Sequence, residues 1–316
     1  MINLWSGGIV VAPYLSPMVE AFITWKADWR WGYLAYSLLN VIGLVLILAF
    51  ADETWYNRQH TDIEKPVKGP KWRRLLGIEQ WSTMRTHGPT FVQAATRPLI
   101  AISKLPILLA MIYYFLNFSW VIGVNATSTV WLTSIYGFDG RDLGLFYLAG
   151  ILGSIIGEVA GHWLHDGVGN FFLKRQGGRI DPEVRLWLTY LSSILMAVSL
   201  VVLGFALQNV WHYTIVAVFY SVQVVGIMIA TTAVNAYLLD AYPEGSGEMG
   251  AWIVFGRVFG GFMATFINIP WVQSAGAAKV FGIQSGITIA AVLIIVFLQL
   301  FGKRLRKAQG AMVFLH

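Results

Sequence analysis

Eight apolar runs constrain this 316-residue chain more than any other feature; they cover 7–25, 32–51, 99–123, 142–163, 186–208, 212–238, 250–269 and 283–302. A helical run of about 20 apolar residues matches the hydrocarbon thickness of a bilayer. Hydrophobic residues make up 57% of the chain and charged residues 12%, whereas a soluble domain carries about 25% charged residues. So little polar surface cannot wrap a water-soluble core. The sequence predicts an all-α polytopic membrane protein with about eight transmembrane helices.

The basic residues predict its orientation. Sixteen Lys and Arg fall in three segments: the long polar stretch 52–98, the connection after the fourth run (Lys174, Arg175, Arg179, Arg185) and the tail (Lys303, Arg304, Arg306, Lys307). The opposite connections hold four: Lys26, Arg30, Arg141 and Lys279. Such asymmetry marks the cytoplasmic side, so the 52–98 stretch and the C-terminus are expected there. The net charge of +6 then reports topology and anionic lipid rather than nucleic acid. Trp25, Trp29, Trp31, Trp131, Trp187, Trp211 and Trp271 sit near the ends of runs, as an interfacial belt would. "KWRRLLGIEQW" (71–81) is basic and amphipathic and is expected on the inner membrane surface. The chain has no cysteine, so no disulfide or thiolate site can form. It has no phosphate-binding or dinucleotide fingerprint either, and no cofactor or metal is expected.

The first run, "WSGGIVVAPYLSPMVEAF" (Trp5–Phe22), lacks the basic start and short core of a cleaved leader. Its Pro13 and Pro17 remove backbone hydrogen bonds and bend a helix. Gly7, Gly8, Ala12 and Ser16 leave one face small enough for close packing. It reads as a kinked inner helix of a bundle.

"APYLSPMVEAF" followed by "ADWRWGYLAYSLLNVIGLVLILAFADETWYNR" resembles the fifth and sixth helices of fungal drug:proton-antiporter-type members of the major facilitator superfamily. "IYGFDGRDLGLFYLAG" resembles the entry to the eighth helix, and "QGGRIDPEVRL" the loop between the eighth and ninth. The passage "NAYLLDAYPEGSGEMGAWIVFGRVFGGF", the most specific of these, resembles the tenth-to-eleventh helix connection. The resemblance implies a partial fold, helices five to twelve of twelve. Residues 1–51 would be the last two helices of the N-terminal half, 52–98 the central cytoplasmic loop, 99–309 a complete six-helix C-terminal half, and 310–316 a tail. The first four helices are expected to be missing and are a candidate partner.

Several residues could carry function. Glu158 is an ionisable residue inside a run, beside the Gly153, Gly157 and Gly161 seam; such residues usually face a bundle interior or a water path. It reads as a proton site, or as a neutral acid locking two helices. Glu20 carries the same two readings, with the structural one favoured. Asn117, Asn125, Gln223, Thr231 and Asn235 could line a midplane cavity or serve as interhelical glue, and Tyr113 and Tyr114 could wall it. Asp240 and Arg257 flank "AYPEGSGEMG"; the resemblance implies that they help latch an inner gate. His162 and Asp166 have the spacing of an acyltransferase motif, while the resemblance makes Asp166 the remnant of a cytoplasmic loop signature.

The resemblance implies a proton-coupled secondary transporter of a small organic solute, in the plasma membrane or another membrane such as the vacuolar one, and inactive if truncated. A non-transporting fragment or interaction subunit is the alternative. An intramembrane enzyme using His162 and Asp166 comes third.

Overall fold

A computed structural model describes residues 2–50, 90–175 and 181–312, and every regular element in them is helical. In chain order these are α1 (Ile2–Lys26), α2 (Trp29–Phe50), α3 (Phe91–Ser103), α4 (Leu105–Tyr136), α5 (Gly140–Arg175), α6 (Leu188–Gln208), α7 (Tyr213–Ala241), α8 (Ser246–Ala275) and α9 (Ala277–Gln309). Short 3-10 turns at Pro182–Trp187 and Pro243–Gly245 lead into α6 and α8. Seven described helices, α2 and α4 to α9, are long and apolar enough to cross a membrane. The remaining expected span, 7–25, lies within the 25 residues of α1, where Pro13, Pro17, Glu20 and small residues dilute the apolar character. Residues 51–89, with the amphipathic 71–81 segment, lie outside the described residues. The end of the expected 52–98 loop is helical from Phe91.

The chain divides into two compact units, residues 1–26 with 97–314, and residues 27–96 with 315–316. In the second unit α2 is strongly apolar, with a mean hydropathy of 2.2 across its membrane-crossing stretch. In the first, α4 packs on α8 and α9, α5 on α1 and α7, and α6 on α7 and α9.

Glycines set these contacts, because helices in lipid associate by close backbone packing rather than by a hydrophobic drive. A Cβ on Gly157 would stand 2.7 Å from Met228 Cβ, and one on Gly153 2.7 Å from the Ser221 carbonyl oxygen, so the glycine seam of α5 lies flush on α7. At Gly140 and Gly144 the same helix meets Ala21, Phe22 and Trp25 of α1. Gly256, Gly260 and Gly261 of α8 admit Met111, Phe115, Ser119 and Ile122 of α4 in the same way.

Two expectations need correction. The third run, expected to end at 123, continues to Tyr136 in a 32-residue helix. Its last turns carry Asn125, Thr127, Ser128 and Thr129, which lower the hydropathy but are satisfied inside the fold. Thr127 donates to the Gly123 carbonyl at 2.6 Å and Ser128 to that of Asn125 at 2.8 Å. The helix stops at Gly137, whose φ of 67° is left-handed and returns its N–H to the last turn. Trp131, expected in the interfacial belt, is instead buried edge-on against Phe281, with ring centroids 5.3 Å apart.

Candidate functional site

The first unit contains a cavity of about 170 Å³ walled by four helices. Pro13 and Tyr14 come from α1, and Tyr114, Phe118, Val121, Ile122 and Asn125 from α4. Met228 and Thr231 come from α7, and Arg257 and Val258 from α8.

Its polar edge follows from the two prolines of α1. Pro17 has no N–H, so the Pro13 carbonyl four residues earlier lacks its helical partner. Asn125 Nδ2 donates to that carbonyl across the helix interface at 3.3 Å. The same amide accepts through Oδ1 from the Tyr220 hydroxyl at 2.6 Å. Asn125 thus ties α1 to α7 as well as to its own helix α4, and the Pro13 carbonyl freed by Pro17 is not orphaned.

On the opposite wall Thr231 donates to the Ile227 carbonyl at 2.7 Å. With its only proton so used, its oxygen can accept from the Tyr114 hydroxyl, 2.8 Å away. Tyr114 stacks on Phe118 with centroids 5.1 Å apart. The half-buried Arg257 guanidinium lies over the other aromatic of this pair, 5.2 Å from the Phe118 centroid. Charge of either sign is otherwise absent from the lining: every other polar group there is a neutral hydroxyl, amide or carbonyl.

The structure therefore brings Pro13, Asn125, Thr231, Tyr114 and Arg257 together and separates the other candidates. Asn117 and Gln223 are fully buried off the cavity. Asn117 donates to the Tyr113 carbonyl at 2.8 Å, while its oxygen and both polar atoms of Gln223 have no protein partner. Asn235 is exposed. Tyr113 packs in the core, 3.1 Å from the Ser193 hydroxyl. Glu158 is half-buried one residue off the α5 seam, with no hydrogen bond or ion pair among the described residues. Glu20 is half-buried with one carboxyl oxygen unpartnered. His162 and Asp166 form an exposed i, i+4 pair 3.6 Å apart, and no third acidic, histidine or cysteine side chain joins them in a metal-holding group among the described residues.

Asp240 and Arg257 do not pair. Asp240 accepts from Arg185 Nε at 3.0 Å, because Arg257 sits three turns into α8 and faces the cavity instead. The ion pairs at this end of the bundle use basic residues that the sequence marked only as topology charges, with acids that it did not single out. Arg306 holds the buried Glu183 through both carboxyl oxygens at 2.8 and 2.9 Å. Lys303 pairs with Asp181 at 2.9 Å, and Arg97 with Glu248 at 2.6 Å. Lys104 donates to the carbonyls of Gln309, Gly310 and Ala311, closing the C-terminus of α9. Beside this network, burial pushes the Tyr242 hydroxyl up to about 12, with Arg306 opposing the rise.

The chain is similar to several fungal proteins. It is 23% identical over 316 residues to the efflux pump radE of Floropilus chiversii, covering 96% of this chain and 57% of the pump. It is 23% identical over 265 residues to the MFS-type transporter oryF of Aspergillus oryzae, covering 82% and 54%. It is 26% identical over 256 residues to fluconazole resistance protein 1 of Saccharomyces cerevisiae, covering 77% and 44%. The chain thus spans about half the length of the curated relatives it matches. With seven apolar helices it is a multi-pass integral membrane protein, and it comes from a lineage of transporters rather than enzymes. The sequence profile of the Major Facilitator Superfamily matches residues 1–265, and the chain belongs to that family.

Proposed function

We propose that the chain acts as a secondary transporter of a small organic solute, coupled to protons. The observation that carries this reading is the cavity itself. Four helices meet around it, it joins an aromatic surface to a few fixed polar groups, and small-molecule sites have this character. A kinked helix held by a side-chain amide is also how membrane helices tolerate broken backbone near a solute path. The names of the relatives point to export across a fungal membrane, here taken to be the plasma membrane. The Arg306–Glu183 end, with the C-terminus, faces the cytoplasm. Protons passing through Glu158 supply the coupling.

The half-length match favours a second arrangement, in which this chain works with further transmembrane helices rather than alone. Both are tested by expression in yeast cells stripped of their own export pumps, followed by accumulation of a panel of labelled organic solutes. The proposal expects lower accumulation of at least one solute, restored when the proton gradient is collapsed and by Thr231→Val with Asn125→Leu. Unchanged accumulation across the panel rejects transport by this chain and leaves the interaction-subunit reading.

A further inference from the structure

We infer that the cavity selects organic anions: solutes with an apolar, preferably aromatic body and one carboxylate-like charge. This rests on the cavity being the solute site. Arg257 is permanently protonated, and it lies on a membrane-crossing helix, where an unpaired cation is costly. The six ion pairs among the described residues leave it out. Neither Glu20 nor Glu158 lines the space it faces. What holds it is neutral: the Phe118 ring, at 5.2 Å, and the Tyr114 hydroxyl. The ring contact occupies one face of a planar group, and the N–H edge is left free of any carboxylate.

The surroundings complete the recognition. The Tyr114 and Phe118 rings form a stacked aromatic wall beside the guanidinium. Tyr114 gives its proton to Thr231 and offers its oxygen to Arg257, while Asn125 is committed at both ends; the cation's partners in the lining are thus neutral, and none cancels its charge. An anion that reaches Arg257 neutralises the single charge of the lining and lays its ring against Phe118. A cationic solute meets like charge with no acid to offset it. Guanidinium–carboxylate recognition is charge-assisted and two-pronged, which makes it stronger than a neutral hydrogen bond.

The test uses the full chain in nanodiscs of zwitterionic lipid and equilibrium dialysis with three probes of one shape: 2-naphthoate, 2-naphthamide and 2-naphthylmethylammonium. The acid should bind about tenfold tighter than the amide, the size of one charge-assisted contact, and the ammonium weakest. Arg257→Gln should erase the difference between acid and amide while amide binding persists. Arg257→Lys, which keeps the charge without the fork, should retain part of it. Equal binding of acid and amide by the unaltered chain overturns the anion inference and leaves the cavity standing. Preference for the acid surviving in Arg257→Gln overturns it as well. Binding of none of the three overturns the cavity reading with it.

Discussion

The seam between α5 and α7 should respond to a single methyl group in a position-dependent way. A Cβ at Gly153 would lie 2.7 Å from the Ser221 carbonyl oxygen and 2.8 Å from its hydroxyl. Carbon–oxygen contacts settle near about 3.3–3.6 Å, so α5 must move from α7 by about 0.6 Å, and the obstacle is backbone. At Gly161, two turns further on, the nearest atom is Thr232 Oγ1 at 3.5 Å, an ordinary contact. At Gly167 nothing lies within 4 Å. Replacing glycine by alanine in a helix gains up to about 1 kcal/mol of propensity, a contribution common to all three sites. The difference between variants therefore isolates overpacking, about 1–3 kcal/mol. Unfolding by SDS in mixed micelles should place Gly153→Ala below Gly161→Ala by that amount, with Gly161→Ala and Gly167→Ala within about 0.5 kcal/mol of each other. A Gly153→Ala variant as stable as Gly161→Ala would refute the idea that this seam is packed to backbone contact.

Other consequences follow from the charged end and the buried acids. Arg306→Leu strands the buried Glu183, a loss of about 3 kcal/mol, and Glu183→Gln in the same chain should recover a large part of it in the same unfolding assay. Glu158→Gln removes the ionisable group from a side chain with no partner to lose, so folding should stay within about 0.5 kcal/mol while proton-gradient-driven solute export disappears; full retention of that export would reject Glu158 as the proton site. Because the chain lacks cysteine, Lys307→Cys should react with impermeant maleimide only from the cytoplasmic face and Ser274→Cys only from the opposite one; the reverse pattern would overturn the assigned orientation.

The fold class was legible because apolar runs of bilayer length leave few alternatives, and the Gly153–Gly157–Gly161 spacing pointed to the seam that α7 fills. The site was only half legible. Asn125 and Thr231 stood out as polar groups within apolar runs, but which of the several amides met a cavity depended on helix rotation, so Asn117 and Gln223 looked the same and are buried elsewhere. Asn235 shares a face with Thr231 in a helix, yet lies one turn beyond the cavity. Arg257 was assigned with Asp240 to a latch by the family resemblance. The signal that could have placed it was its depth in the span, since a cation three turns from a helix start cannot reach a partner at the end. Arg306 and Glu183 are 123 residues apart, a separation at which no local pattern announces a pair. Tyr14 and Phe118 looked like ordinary core aromatics and gave no signal at all.

The claim that the space among α1, α4, α7 and α8 is a solute path is tested most directly by thiol accessibility in native membranes. Thr231→Cys should react with a small charged methanethiosulfonate, because the side chain opens onto the cavity. Ala230→Cys, one residue away and fully buried, should stay unmodified under the same conditions. A Thr231→Cys side chain as inert as Ala230→Cys would show that water and solute do not reach this space, and would contradict the account.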